Sequence, residues 1–152
     1  AVDVHQHKLD LAMELGATAT VNAKDSDAIE QVRELTKGGV EFAFEFAGSV
    51  AAMQLAYGAT RRGGTTITAS LPHPDAEWPL KQISLVAEER TVKGSYIGSC
   101  IPSRDLPRYL DLYKAGHLPI NRLIGKKYRL EEINEGFDSL ASGNSLRDLI
   151  IF

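Results

Sequence analysis

Val40-Glu41-Phe42-Ala43-Phe44-Glu45-Phe46-Ala47-Gly48 is the stretch whose reading decides the fold class. It is nearly all apolar. Phe42, Phe44 and Phe46 alternate to one side, and Glu41 and Glu45 interrupt the other. Gly38-Gly39 precede it and Gly48-Ser49 follow it. A short apolar run between such breakers predicts a strand covered on both faces, as in a parallel sheet flanked by helices.

Working outward, Ile29, Val32 and Leu35 mark one face of a helix that Gly38-Gly39 stops. On the other side, Gly48-Ser49 cap a helix over about 50–60. The alternation continues in both directions. Leu9, Ala12 and Met13 predict a helix over 5–15, closed by Gly16, and 18–21 reads as a short strand before a polar turn at 22–27. Arg61-Arg62-Gly63-Gly64 reads as a turn, 65–71 as a strand, and Pro72, Pro74 and Pro79 hold an irregular segment. A helix over 80–88 and a strand over 91–97 follow. Ser103 caps a helix ended by Gly116, whose stripe of Leu106, Tyr109, Leu110 and Tyr113 reads as an inward, core face. Residues 123–128 are extended. Ile133, Phe137 and Leu140 face inward on a helix over 131–140, and 147–151 is the last strand. Strands alternating with helices of about ten residues predict an α/β fold with a doubly wound, mostly parallel sheet and right-handed crossovers.

The chain has 152 residues, which suits a single domain over 1–152. At 43% hydrophobic and 24% charged, it is not a disordered segment. Seventeen basic against twenty acidic residues, a formal charge of −3, argue against a nucleic-acid surface. No apolar run approaches the roughly 18 residues of a membrane span. A single cysteine, Cys100, excludes an intrachain disulfide and fits a reducing, cytoplasmic setting. The opening Ala1-Val2-Asp3-Val4 reads like the end of a strand, so the chain is expected to be a piece of a longer one.

Ligands of open α/β sheets bind beyond the carboxyl ends of the strands. Those ends are Asp3, Phe46-Ala47-Gly48, Ala69-Ser70-Leu71 and Tyr96-Ile97-Gly98. An acid at a strand tip can accept hydrogen bonds from both ribose hydroxyls and repel a 2′-phosphate, favouring NAD over NADP. Asp3 could equally cap the next helix, and both readings stand. The glycine-rich phosphate turn expected about 20 residues earlier is missing. His5, His7, His73 and His117 are scattered, so no metal site is expected. Glu45 reads as a buried, hydrogen-bonded acid rather than a catalytic one. Arg147 could reach a phosphate or make a surface ion pair.

Several segments together resemble the C-terminal part of the coenzyme domain of zinc-dependent medium-chain alcohol dehydrogenases. They are Ala1-Val2-Asp3 with Lys8, Glu14-Leu15-Gly16-Ala17-Thr18, Val21-Asn22, Gly38-Gly39-Val40 and Phe44-Glu45-Phe46-Ala47-Gly48. Lys93-Gly94, Ile133-Asn134-Glu135-Gly136-Phe137-Asp138, Ser142-Gly143, Ser145, Arg147 and Phe152 complete the set. The resemblance covers essentially the whole chain. It implies a Rossmann-like fold lacking its first strand and phosphate-binding turn, with a gap or a foreign strand between the strand of Val2 and that of 40–46. It implies NAD as cofactor. Asp3 would bind the adenosine ribose with support from Lys8, and Phe46 and Ala47 would line the cofactor groove. Ala69, Leu71, Ser95 and Ile97 would sit near the nicotinamide amide, and Arg147 would contact the pyrophosphate. Ser70 stands where glycine is common, and the Leu71-Pro72-His73-Pro74 loop is this chain's own.

The resemblance also implies that zinc and the catalytic residues belong to the parent enzyme's other domain, leaving no catalytic residue and no dehydrogenase activity here. It implies a homo-oligomer paired through the edge strand 90–99. Rival readings are a zinc-free, NADPH-using quinone or enoyl reductase, a methyltransferase, and a non-catalytic nucleotide-binding module. Asp3 disfavours the first, and the helix of Asn134-Glu135-Gly136-Phe137 with the last strand disfavours the second.

Overall fold

The computed structural model describes residues 1–143 and 145–152. It is an α/β structure whose strand pairs are all parallel. The chain divides into two compact units, Ala1–Ser99 and Cys100–Phe152.

The first unit runs β1 (Val2–Asp3), α1 (Gln6–Glu14), β2 (Val21–Asn22), α2 (Ala28–Leu35), β3 (Val40–Glu45), α3 (Val50–Ala59), β4 (Thr60–Thr68), α4 (Gln82–Ala87) and β5 (Thr91–Gly94). Its strands form two sheets, β1-β2 and β3-β4-β5. Val21, Ala28, Val32 and Ala59 bury together, with Val40 and Leu55 packed against them. This cluster draws on β2, α2 and α3, so helix packing holds the two sheets in one unit. The expected gap between β1 and β3 is present, as an open groove of about 860 Å³ lined by Val2, Val4, Phe42, Phe44 and Phe46 among others.

That gap corrects the reading of 40–46 as a strand covered on both faces. Ala43 and Glu45 are buried, whereas Phe42, Phe44 and Phe46 are 58%, 60% and 72% exposed. The rings of Phe44 and Phe46 stack on each other at 6.3 Å. The better covered side is that of Ala43 and Glu45, although Glu41 at its start is exposed, and the three phenylalanines line the groove.

Two further expectations change. Arg61-Arg62-Gly63-Gly64 is a bulge inside β4 rather than a turn before it. Val40 pairs with Thr60 and Phe42 with Thr65, so the intervening residues loop out of register. Gly64 fits there because a Cβ would stand 2.7 Å from Thr60 Cγ2. Gly39 is required for the same reason, since its Cβ would stand 2.7 Å from the Ala59 carbonyl oxygen. The strand predicted over 91–97 ends at Gly94. Its partner β4 ends at Thr68, whose carbonyl takes one last bond from the Ser95 N–H at 2.9 Å. Beyond it, Ile97, Gly98 and Ser99 turn with positive φ.

The second unit holds α5 (Pro102–Lys114), β6 (Ile124–Arg129), α6 (Ile133–Ala141) and β7 (Arg147–Ile151). β6 pairs with β7 around the buried Tyr128, against which Gly136 of α6 packs. Pro102 starts α5, and Asp105 accepts the Ile101 N–H at 2.8 Å and two guanidinium bonds from Arg104. The hydrogen bonds from Arg104 and Ile101 pull the Asp105 carboxyl down to about 2. The stripe of Leu106, Tyr109, Leu110 and Tyr113 is 40–55% exposed, and Phe137 and Leu140 are 61% and 62% exposed. These positions keep their helical spacing but are not core, which corrects their inward reading.

At the centre of the first unit, Thr60 and Thr66 are fully buried. Thr60 Oγ1 donates to the Ala56 carbonyl at 2.8 Å, so the Thr66 hydroxyl donates to Thr60 across 2.8 Å. Thr60→Val orphans both neighbours and should cost about 1–3 kcal/mol in urea unfolding. The double variant Thr60→Val/Thr66→Val should recover part of that loss, because it removes one orphan. Strict additivity would mean the two hydroxyls do not interact.

Candidate functional site

The register of the three-stranded sheet aligns its carboxyl ends. Glu45 lies beside Thr68, and Thr68 beside Gly94. The chain leaves these ends as Phe46-Ala47-Gly48, Ala69-Ser70-Leu71 and Ser95. The structure therefore brings Phe46, Ala47, Ala69, Leu71 and Ser95 to one rim. Phe46, Ala47 and Leu71 are exposed there, and Ala69 and Ser95 are half-buried. Ile97, 68% exposed, stands in the turn that follows β5.

Asp3 ends β1 and lines the same groove as Phe46 and Ala47. Its Oδ1 accepts the His5 backbone N–H at 2.9 Å and stands 3.3 Å from His5 Nδ1. The two sequence readings of Asp3 are thus compatible. One oxygen fixes the entry to α1, and no protein donor among the described residues meets the other. Lys8 is half-buried in the first turns of α1. Arg147 lies in the second unit, exposed at the start of β7.

The organising group of the rim is Glu45, 4% exposed. Its Oε1 accepts the Gly48 N–H at 2.7 Å. Its Oε2 accepts the Thr68 hydroxyl at 2.8 Å and the Ser70 hydroxyl. Burial pushes its carboxyl up, but the bonds from Ser70, Thr68 and the Gly48 and Ala47 N–H groups outweigh that and hold it below the usual range. The sequence reading of a buried, hydrogen-bonded acid holds. What it missed is that all these partners belong to the ends of β3 and β4. The available signal was the pair of hydroxyls, Thr68 and Ser70, at the end of the next strand. The His5 contact with Asp3 was also missed. Gly48, at φ +71, makes the turn that aims its N–H back at Glu45.

No three His, Cys, Asp or Glu side chains among the described residues stand close enough to hold a metal ion. Among those residues, no helix is long and apolar enough to cross a membrane.

A family model described as zinc-binding dehydrogenase matches residues 1–115. The chain belongs to the zinc-binding dehydrogenase family. The NDMA-dependent alcohol dehydrogenase of Amycolatopsis methanolica is 36% identical over 99% of this chain and 42% of its own length. Alcohol dehydrogenase 1 of Zea mays is 33% identical over 98% of this chain and 40% of its own. Benzyl alcohol dehydrogenase from Acinetobacter calcoaceticus superposes with a TM-score of 0.93 at 30% identity, over 99% of this chain and 41% of that one. The chain thus spans about 40% of the length of the relatives it matches. The Rossmann-like α/β fold inferred from the sequence is that of these dehydrogenases.

Because the native carboxyl of Glu45 titrates below its usual 4.5, its stabilisation is complete above about pH 4.5 and is lost as pH falls through the lower native value. Urea midpoints should therefore fall on acidification below pH 4.5. Trp78, packed edge-on against Tyr57 at 5.3 Å, offers the fluorescence probe for this unit. Glu45→Gln should lower stability at neutral pH by about 1–3 kcal/mol and flatten the acid slope. An unchanged slope would assign acid sensitivity to other carboxylates.

Proposed function

We propose that this chain is the NAD-binding portion of a zinc-dependent alcohol dehydrogenase, which passes a hydride between an alcohol and NAD. One observation carries this reading: the Asp3 carboxylate, with one oxygen that meets no protein donor among the described residues, lines one groove with the strand ends Phe46 and Ala47. A carboxylate at the tip of a strand suits two ribose hydroxyls and repels a 2′-phosphate. Lys8 supports it with positive charge. Phe46 and Ala47 wall the cofactor, and Ala69, Leu71, Ser95 and Ile97 form the nicotinamide end. Arg147, exposed on β7, has the charge to meet the pyrophosphate. When bound, NAD supplies the hydride acceptor, and the protein's part is grip and orientation.

The described residues do not fit a zinc ion. Zinc and the alcohol are therefore assigned to another part of the parent enzyme, and no catalytic residue is assigned to this chain. Both compact units are assigned to one coenzyme-binding domain, and the enzyme to the cytoplasm, which suits its lone free cysteine. The runner-up, a zinc-free NADPH reductase, is disfavoured by Asp3. Titration of the chain with NADH and NADPH, followed by nicotinamide fluorescence, tests the assignment. Asp3→Ser should weaken NADH binding by about 1.5–3 kcal/mol, roughly ten- to 150-fold. It should also narrow the gap to NADPH. An unchanged ratio would leave Asp3 as a helix-entry residue only.

Self-association is assigned to β5. All four of its residues are exposed and β4 occupies one edge only. The paired segment is shorter than the 90–99 stretch read from the sequence. The Ser95 N–H points at β4, so by strand alternation that of Val92 points outward. Val92→Pro removes that donor while sparing the β4 ladder. The solution mass should fall to that of the monomer, and an intact oligomer would move the interface elsewhere.

A further inference from the structure

His5 stands against the carboxylate of Asp3. Its backbone N–H donates to Asp3 Oδ1 at 2.9 Å, and its ring Nδ1 lies 3.3 Å from the same oxygen. An ionised carboxylate only accepts hydrogen bonds, so Nδ1 carries a hydrogen and the ring takes up its second proton at Nε2. The side chains of His5 and Asp3 are 31% and 37% exposed, so the ring can exchange that proton with water.

β1 (Val2–Asp3) brings Asp3 to α1, and β2 (Val21–Asn22), also packed on that helix, brings no charge. Lys24 and Asp25 follow β2 in a turn, where Asp25 takes the Gln31 amide at 3.2 Å. On α1 itself, Asp10 takes the Gln6 amide at 2.9 Å, the His7 ring is tilted against that of His5 at 5.6 Å, and Lys8 lies one turn on.

Both contacts of His5 fall on Oδ1, so Oδ2 keeps its lone pairs for a ligand hydroxyl whichever charge the ring carries. What changes is the field at that oxygen. Beside a neutral ring, Asp3 presents a full negative charge to a group at the 2′ position. Beside an imidazolium, the pair is neutral overall. Imidazole is the side chain that changes charge between about pH 5 and 8. A ribose hydroxyl needs the lone pair, whereas a 2′-phosphate answers to the charge.

We propose that His5 is a positioning residue that determines cofactor specificity through Asp3: its neutral ring preserves the exclusion of a 2′-phosphate, and its imidazolium relaxes it. This rests on the NAD assignment above. Cofactor choice then depends on pH, while the grip on an unmodified ribose does not.

ADP-ribose and its 2′-phosphorylated counterpart are the probes, because both lack the nicotinamide ring and report on this end alone. Calorimetric titrations of the chain run from about pH 8 to about pH 5.5. A phosphate monoester itself takes up a proton at about pH 6, so part of any change belongs to the probe. His5→Gln, whose side chain does not titrate, measures that part. Across this range the preference for ADP-ribose should fall about three- to fivefold further in wild type than in His5→Gln. ADP-ribose affinity should be alike in both, and His7→Gln should behave as wild type. Equal pH profiles of the preference in wild type and His5→Gln overturn the proposal, as does a profile flattened by His7→Gln instead; ADP-ribose binding then keeps the NAD reading. Loss of ADP-ribose binding in His5→Gln would make the residue a structural support of Asp3 and also overturns it. Failure of ADP-ribose to bind wild type at any pH overturns both.

Discussion

A carboxylate buried between two strand ends holds the candidate site together. Removing Glu45 from water is unfavourable unless its lone pairs are filled, and here they are filled by the Gly48 N–H and the hydroxyls of Thr68 and Ser70. The donors are the last residue of β4, Thr68, and two residues that have just left the sheet, Gly48 and Ser70. The turn into α3 and the exit of β4 are therefore tied to one anionic point rather than to each other. A backbone at a strand end has lost its ladder partners and would otherwise be free to move. The buried charge restores that constraint where a ligand needs a fixed surface.

The groove beside β3 follows from a different constraint. β1 and β2 pair only with each other, and the cluster of Val21, Ala28, Val32 and Ala59 holds them near the larger sheet through helices instead of hydrogen bonds. That leaves Phe42, Phe44 and Phe46 facing an opening with Asp3 on its rim. An apolar wall with a single carboxylate at one end suits a ligand with a flat, weakly polar body and a hydroxylated head. The first unit thus places an apolar wall and the Asp3 carboxylate on one groove, next to the strand ends that Glu45 ties together.

In the second unit, local chemistry is equally specific and less tied to a site. Asp105 closes the start of α5, and Asp148 takes the Lys126 N–H at 2.9 Å where β6 slips register against β7. Its apolar helical stripes remain largely exposed.

The sequence by itself determined the order and type of most elements, because period and breakers are local properties. Gly16, Gly38-Gly39 and Gly116 end helices as read, whereas the gap beside β1 was expected only from the family resemblance. It also placed Asp3 at a strand tip, since an acid after an apolar pair is visible without a structure. It misread Arg61-Arg62-Gly63-Gly64, because a bulge and a turn share the same glycines and differ only in what lies opposite. It misread the covering of 40–46 and the inward stripe of α5, because alternation tells which residues share a face but not whether anything packs on it. Only the tertiary structure decided that Glu45 is answered by Thr68 and Ser70, more than twenty residues away in sequence. Hydrogen bonds at that separation depend on strand register, and register is fixed by packing between elements rather than by any segment alone.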